Sequence, residues 1–137
     1  MSKLEVPDRL AASLARLDPR SIRDAAPTFD ALLDTLGPQE QVQHLVQGWT
    51  KGLPCVVART DRRVLVVVSR FPEPLVESLH PTRTKVSLYG PPGTDRASLP
   101  VVDGRRLLEV TGVRDGAEAR AICIVPTAPK VRSRGYF

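Results

Sequence analysis

Aromatic and metal-binding residues are scarce in this sequence of 137 residues. Trp, Tyr and Phe together make up 4% of the chain, which disfavours a single-strand nucleic-acid binder of the base-stacking type. The two His and two Cys form no Cys-x-x-Cys motif and no metal-ligand spacing. We therefore expect neither a metal nor another cofactor.

Long apolar runs are missing as well. No run exceeds the five residues of Val64–Val68, whereas a membrane helix needs about 20. The segment Met1–Asp8 has no apolar signal core, so we expect no secretion. Cys55 and Cys123 lie in apolar stretches, which is typical of buried, reduced thiols. Together these features predict a cytoplasmic protein.

Positive charge is in excess but unevenly distributed. The chain carries a net charge of +5, of which residues 1–40 contribute −2, residues 41–125 contribute +4 and residues 126–137 contribute +3. A basic body with a basic tail favours an anionic partner such as nucleic acid, a phosphorylated ligand or an anionic lipid surface. The alternative is compositional, because 16 of the 20 basic residues are Arg, which GC-rich coding produces without any function.

The first forty residues predict helices. Apolar residues recur at helical spacing over residues 10–17, and Pro19 ends that element. A further helix is predicted from Pro27, with Thr28 as its N-cap, to Gly37.

The pattern from Gln41 to Val113 is that of short strands separated by turn residues, which indicates an antiparallel β unit. The predicted strands are Val42–Thr50, Pro54–Thr60, Arg63–Ser69, Leu75–Leu79, Lys85–Tyr89, Ala97–Val102 and Arg105–Thr111. A short helix, capped by Asp115, is predicted to end near Val125, with a strand as the alternative at its apolar end. The expected fold is therefore α+β: N-terminal helices, then a small antiparallel β-barrel or sandwich of six or seven strands, then a short C-terminal helix.

Two patterns suggest catalysis and fail on inspection. The string Tyr89-Gly-Pro-Pro-Gly-Thr-Asp-Arg-Ala is similar to the phosphate loop of AAA-type ATPases, but it lacks the required Gly, Lys and hydroxyl at its last three positions. We expect a stiff β-loop with Gly93 at positive φ instead. His44 and His80 have no orienting acid or nucleophile in their sequence context, so we expect no enzyme.

The segment Val57-Ala-Arg-Thr-Asp-Arg-Arg-Val-Leu-Val-Val-Val resembles the central hairpin of the bacterial pleckstrin-homology-like (PH-like) family. Downstream, Pro74-Leu-Val-Glu-Ser-Leu-His is similar to the Glu-Ser-Ile-Pro strand of that family, and residues 33–48 resemble its helix-then-strand entry. The resemblance covers residues 29–125. The sequence departs from the family at Thr84 and at the Pro91-Pro92-Gly93 loop.

This resemblance implies a PH-like domain over residues 28–125, with a helical extension at 1–27 and a flexible basic tail at 126–137. Such domains in general are not enzymes but binding modules. The leading hypothesis is recognition of a protein or peptide, by strand addition to an exposed edge or by docking of the tail. The alternative is a nucleic-acid-binding accessory protein. An anionic lipid headgroup and edge-to-edge pairing into a homo-oligomer are further alternatives.

The candidate partner- or anion-binding residues are basic residues near the predicted strand ends, together with the tail. They are Arg59, Arg62, Arg63, Arg70, Arg83, Lys85 and Arg96, and in the tail Lys130, Arg132, Arg134, Tyr136 and Phe137. Forked guanidinium donors at such a rim can hold phosphate or carboxylate. The competing interpretation is a solvated turn in which Asp61 pairs locally with Arg63.

Overall fold

Residues 8–94 and 96–124 are described by a computed structural model of the chain. Within them the helices are α1 (Asp8–Ala15), α2 (Pro19–Asp24), α3 (Ala26–Thr35) and α4 (Gly116–Ile122). The strands are β1 (Val42–Thr50), β2 (Leu53–Thr60), β3 (Val64–Val68), β4 (Leu75–Leu79), β5 (Lys85–Val86), β6 (Ser98–Asp103) and β7 (Arg106–Thr111). The predicted α+β class is confirmed, with a seven-stranded antiparallel sheet and a short helix after it.

Local capping chemistry sets the starts of the N-terminal helices. The Asp18 carboxylate accepts a hydrogen bond from the backbone N–H of Arg20 at 2.8 Å, which caps α2. The predicted N-cap at Thr28 is wrong, because Ala25 occupies the cap of α3. Thr28 lies in the first turn, where its hydroxyl donates to the Ala25 carbonyl at 2.6 Å.

The strands follow one another in the order β4-β3-β2-β1-β7-β6-β5. β1 pairs with β2 along its length but meets β7 only near its own end, where Trp49 lies opposite Thr111. Helix α4 covers the gap that this leaves, and the Glu118 carboxylate accepts a hydrogen bond from the Leu45 N–H at 3.2 Å. An ion pair joins Arg106 at the start of β7 to Glu77 of β4, so the sheet is strongly curled.

Both faces of the sheet are buried along β2 and β3. The inner, concave face packs around Val57, Val66 and Ile122, the last of these from α4. The outer face is covered by α1, α2 and α3, which contribute residues such as Leu10 and Leu32. This double coverage explains why all five residues of β3 are apolar, as the continuous run in the sequence predicts.

Several boundaries differ from the sequence prediction. β5 has two residues, because Tyr89 forms only an isolated bridge with Ser98. Helix α4 continues to Ile122, so the alternative strand does not form there. Gly93 has φ of 88°, as predicted for the proline-rich loop. The predicted flexible tail at 126–137 lies outside the described residues.

Two further predictions concern the burial of the two cysteines and the absence of a membrane-spanning helix. Cys55 is buried as predicted, whereas Cys123 is half-buried, and both are free. Over residues 8–94 and 96–124, the helices are all too short or too polar to cross a membrane.

Candidate functional site

Arg59 is a core residue and not a surface one. Its side chain is 1% exposed, with Nε donating to the Ile122 carbonyl at 3.1 Å and Nη1 donating to the Pro81 carbonyl at 3.0 Å. This burial lowers the pKa of Arg59. The prediction of Arg59 as a surface partner-binding residue is therefore wrong, because its side chain is buried and two of its nitrogens donate to carbonyls at the end of α4 and after β4.

Arg63 is also used structurally. Its guanidinium pairs with the fully buried Glu40 carboxylate, at 2.8 Å from Nη2 to Oε1 and 2.9 Å from Nε to Oε2. The Arg63 hydrogen bonds hold the pKa of Glu40 at about 2. The alternative pairing of Arg63 with Asp61 is wrong, since Asp61 instead accepts the N–H of Gln41. Arg62 donates to the Pro38 carbonyl at 2.7 Å, so both arginines fasten the β2–β3 hairpin to the segment after α3.

The other predicted basic residues do not form one rim. Arg70 lies in the β3–β4 loop, at the opposite end of β3 from Arg63, while Lys85 is on β5 and Arg96 is in the loop before β6. Arg83 pairs with Asp103 at 2.9 Å. The predicted tail residues Lys130, Arg132, Arg134, Tyr136 and Phe137 lie outside the described residues.

Hydrogen bonding between β2 and β3 sets the direction of every backbone group in β3. The N–H of Ser69 donates to the Pro54 carbonyl at 2.8 Å, and the N–H of Thr60 donates to the Arg63 carbonyl at 2.9 Å. In an antiparallel ladder, successive residues face opposite neighbours. Odd-numbered residues of β3 therefore bond to β2, and even-numbered residues bond to β4.

The same alternation fixes the free edge of β4. Leu75, Glu77 and Leu79 lie opposite the even-numbered residues of β3, so their N–H and C=O groups face β3. Those of Val76 and Ser78 face outward. In the described part of the chain, β3 is the only strand that pairs with β4, so these outward groups have no strand partner.

The edge ends at His80, whose main-chain groups are already bonded. Its N–H donates to the Asp103 carboxylate at 3.3 Å, and its carbonyl accepts the N–H of Thr84 at 3.1 Å. Its Nδ1 accepts the N–H of Arg83 at 3.1 Å, which makes the ring part of the β4–β5 turn. The open ladder of β4 is therefore limited to Val76 and Ser78.

A small cavity lined mostly by apolar side chains, which we call the apolar cavity, lies on the inner side of this edge, between strands β3 and β4 and the β6–β7 hairpin. Its volume is about 100 Å³. The lining residues are Val66, Glu77, Leu79, Val101, Arg106, Leu107 and Leu108. The Arg106–Glu77 ion pair crosses it, and Leu107 beside it is 68% exposed.

A second, open cleft of about 650 Å³ continues from the His80 end of β4. We call it the arginine cleft, because its charged lining consists of Arg63, Arg83, Arg105 and Arg106 with a single acid, Asp103. The Arg83 guanidinium lowers the pKa of Asp103. Arg105 and Arg106 are absent from the predicted site; the only sequence signal for them was the Asp-Gly turn that precedes them.

The described residues contain no group of three or more His, Cys, Asp or Glu side chains that could hold a metal. His44 lies 3.7 Å from Glu118, in the contact between β1 and α4 and away from the two cavities. An unpaired strand edge, an apolar cavity and a cluster of guanidinium groups together can hold an extended chain with alternating side chains.

Comparison with known proteins gives no further assignment. No family model matches the chain, and no curated protein or solved structure gives a significant match. The PH-like resemblance therefore stays a prediction.

Proposed function

We propose that the chain is a non-enzymatic binding module that takes up an extended segment of a partner protein as an additional strand beside β4. The observation that carries the proposal is the pair of outward-facing residues Val76 and Ser78, whose main-chain groups have no strand partner in the described part of the chain. Exposed edges of this kind are templates for strand addition, in which main-chain hydrogen bonds supply much of the affinity.

The cavity beside the edge supports the same use. In an added strand, the residue opposite Glu77 has its side chain on the inner face of the sheet, as Glu77 does, and so points toward the cavity. A volume of about 100 Å³ is well below the roughly 300–1,000 Å³ of small-molecule pockets. One aliphatic side chain of a partner segment is therefore the occupant that fits best.

The strand arrangement and the free thiols support two further parts of the proposal, the type of barrel and the location of the protein. We propose that the curled sheet is a PH-like barrel, because its halves β1–β4 and β5–β7 meet at β1 and a C-terminal helix covers the gap between them. We also propose a cytoplasmic location, since the two thiols are free.

Binding of nucleic acid has less support. A phosphate backbone needs basic side chains along several successive phosphates, whereas four arginines cluster in one cleft at the end of β4 and the other predicted basic residues of the described part lie apart from it. A phosphate backbone also cannot complete the hydrogen-bond ladder of β4.

Selection from a library of random peptides displayed on phage tests the proposal. Val76→Pro removes one outward N–H without touching the bonds to β3, and Val76→Thr is the matched control that keeps this N–H. We expect peptides enriched on the wild-type protein to bind Val76→Pro about tenfold or more weakly, a loss of about 1.4 kcal/mol, and to bind Val76→Thr almost normally. Enrichment of no peptide, or equal binding to Val76→Pro, would overturn strand addition at β4.

A further inference from the structure

We infer, on the basis of the proposed strand addition, that the partner segment carries acidic residues directly before its strand, and that their carboxylates enter the arginine cleft. The inference joins three observations: the direction of β4, the position of the cleft, and the charge of the residues that line it.

The direction of β4 places the cleft next to the residues that precede an added strand. β4 runs from Leu75 to Leu79 toward His80, where the arginine cleft begins. An antiparallel neighbour runs the opposite way, and antiparallel pairs outnumber parallel ones about two- to three-fold. The partner residues opposite Leu79 and His80 therefore precede the residue opposite Glu77.

The charge exposed in the cleft is positive. Arg83 and Arg106 are paired, yet their side chains remain 66% and 58% exposed, and each guanidinium has donors beyond those used in its ion pair. None of the ion pairs among the described residues involves Arg105. Asp103, the only acid in the lining, is 10% exposed and is paired with Arg83. Partner carboxylates thus meet guanidinium groups with free donors.

A second copy of this chain is a poor occupant of the same edge. The only antiparallel self-pairing that uses both free residues sets Val76 opposite Ser78 of the other copy. That register places Glu77 directly opposite Glu77, and like charges in this position are destabilising. A register that sets Val76 opposite Val76 of the other copy places Ser78 opposite Pro74, which has no N–H. The edge is therefore better suited to a different chain than to homo-oligomer formation.

Three synthetic probes test the inference by fluorescence polarisation at low salt. The acidic probe is a capped peptide of three Glu followed by alternating Val and Thr; the neutral and basic probes carry three Gln or three Lys in place of the Glu residues. We expect the acidic probe to bind about tenfold more tightly than the neutral one. The difference should shrink as salt screens the charges.

Charge reversal at Arg105 is the sharpest variant, because its exposed turn position makes no structural ion pair among the described residues. Arg105→Glu should remove the preference for the acidic probe and transfer it to the basic probe, while the neutral probe keeps its affinity. Arg96→Glu, in a loop outside both cavities, is the matched control and should leave the preference unchanged.

The outcomes separate the inference from the proposed function. Equal binding of the acidic and neutral probes, with both lost in Val76→Pro, overturns the acidic preference and leaves strand addition standing. Tight binding of the acidic probe that Val76→Pro does not weaken overturns both, since it shows electrostatic attraction without a ladder. Competition by an oligo-dT strand together with insensitivity to Val76→Pro would favour nucleic acid instead. Failure of every probe to bind overturns the inference, while the peptide library decides the proposed function separately.

Discussion

Arg106 and Glu77 form an ion pair that joins the β6–β7 hairpin to the edge strand β4, although three strands separate β4 from β7 in the sheet. The pair lies across the cavity between the hairpin and the open edge. The curl of the sheet that brings these two side chains together also puts the arginine cleft at the end of β4, where the residues before an added strand would lie.

The Arg106–Glu77 pair should contribute little to stability. Both side chains are partly exposed, at 58% and 28%, and exposed pairs are typically worth about 0–1 kcal/mol. We expect Glu77→Gln to lower the free energy of unfolding by less than about 1 kcal/mol. Urea denaturation measures this, and a loss several times larger would show that the pair is structural.

The Glu40–Arg63 pair should behave in the opposite way. Glu40 is fully buried and accepts hydrogen bonds from Arg63, Thr60 and the N–H of Gly37. Glu40→Gln places an amide donor among these donors, and breaking a buried pair costs about 3–5 kcal/mol. Glu77→Gln is the matched control in the same urea experiment, and equal losses in the two variants would contradict the difference in burial.

Low pH should remove the contribution that the Glu40 carboxylate makes to the free energy of unfolding. Its pKa is about 2 in the folded state, against the ordinary value of 4.5. Because the folded pKa is the lower one, the stabilisation is fully present above the ordinary value and is lost as the pH falls toward 2. The free energy of unfolding of Glu40→Gln should therefore fall less steeply than that of the wild type over this range. Parallel curves for the two proteins would contradict the assignment.

Asp115 links the N-terminal helices to α4. Its carboxylate accepts hydrogen bonds from the buried Ser21 hydroxyl and from the N–H of Asp18, both at 2.7 Å. We expect Ser21→Ala to cost about 1–3 kcal/mol, because it leaves a carboxylate oxygen with one partner fewer. Arg20→Ala, which removes only an exposed pair with Asp18, is the control and should cost less than about 1 kcal/mol. Thermal denaturation of both variants checks the difference.

Gly48 is required by close packing between β1 and β7. A Cβ at this position would clash with the Val110 side chain and lie 2.8 Å from the Thr111 carbonyl oxygen. Gly48→Ala should therefore cost about 1–3 kcal/mol. Gly104→Ala meets no atom within 4 Å, but its φ of 63° is in the left-handed region, so we expect a smaller loss of about 1 kcal/mol. The reverse order of the two losses would contradict this packing.

The local sequence pattern predicted the bounds of several strands, but it did not predict which elements pack against one another. The bounds of β1 and β4 could be read from turn residues and apolar spacing, because those signals lie within a few residues of each strand. The burial of Arg59 could not be predicted in this way, since its hydrogen-bond partners Ile122 and Pro81 are distant in sequence.

The site itself depended on long-range geometry. The sequence predicted strand addition to an edge without identifying which strand is the edge, because strand order follows from long-range pairing. It also gave no reason to place Arg105 and Arg106 beside β4. That proximity arises from the curl of the whole sheet, which no local pattern records.

Amide hydrogen exchange at β4, followed by NMR, tests strand addition most directly. In the free protein, the amides of Val76 and Ser78 should exchange rapidly and that of Glu77 slowly, because only Glu77 donates to β3. A saturating amount of a peptide enriched from the library should slow exchange at Val76 and Ser78 and leave Glu77 unchanged. Slow exchange at Val76 and Ser78 before any peptide is added, or unchanged rapid exchange with the peptide bound, would contradict strand addition at this edge.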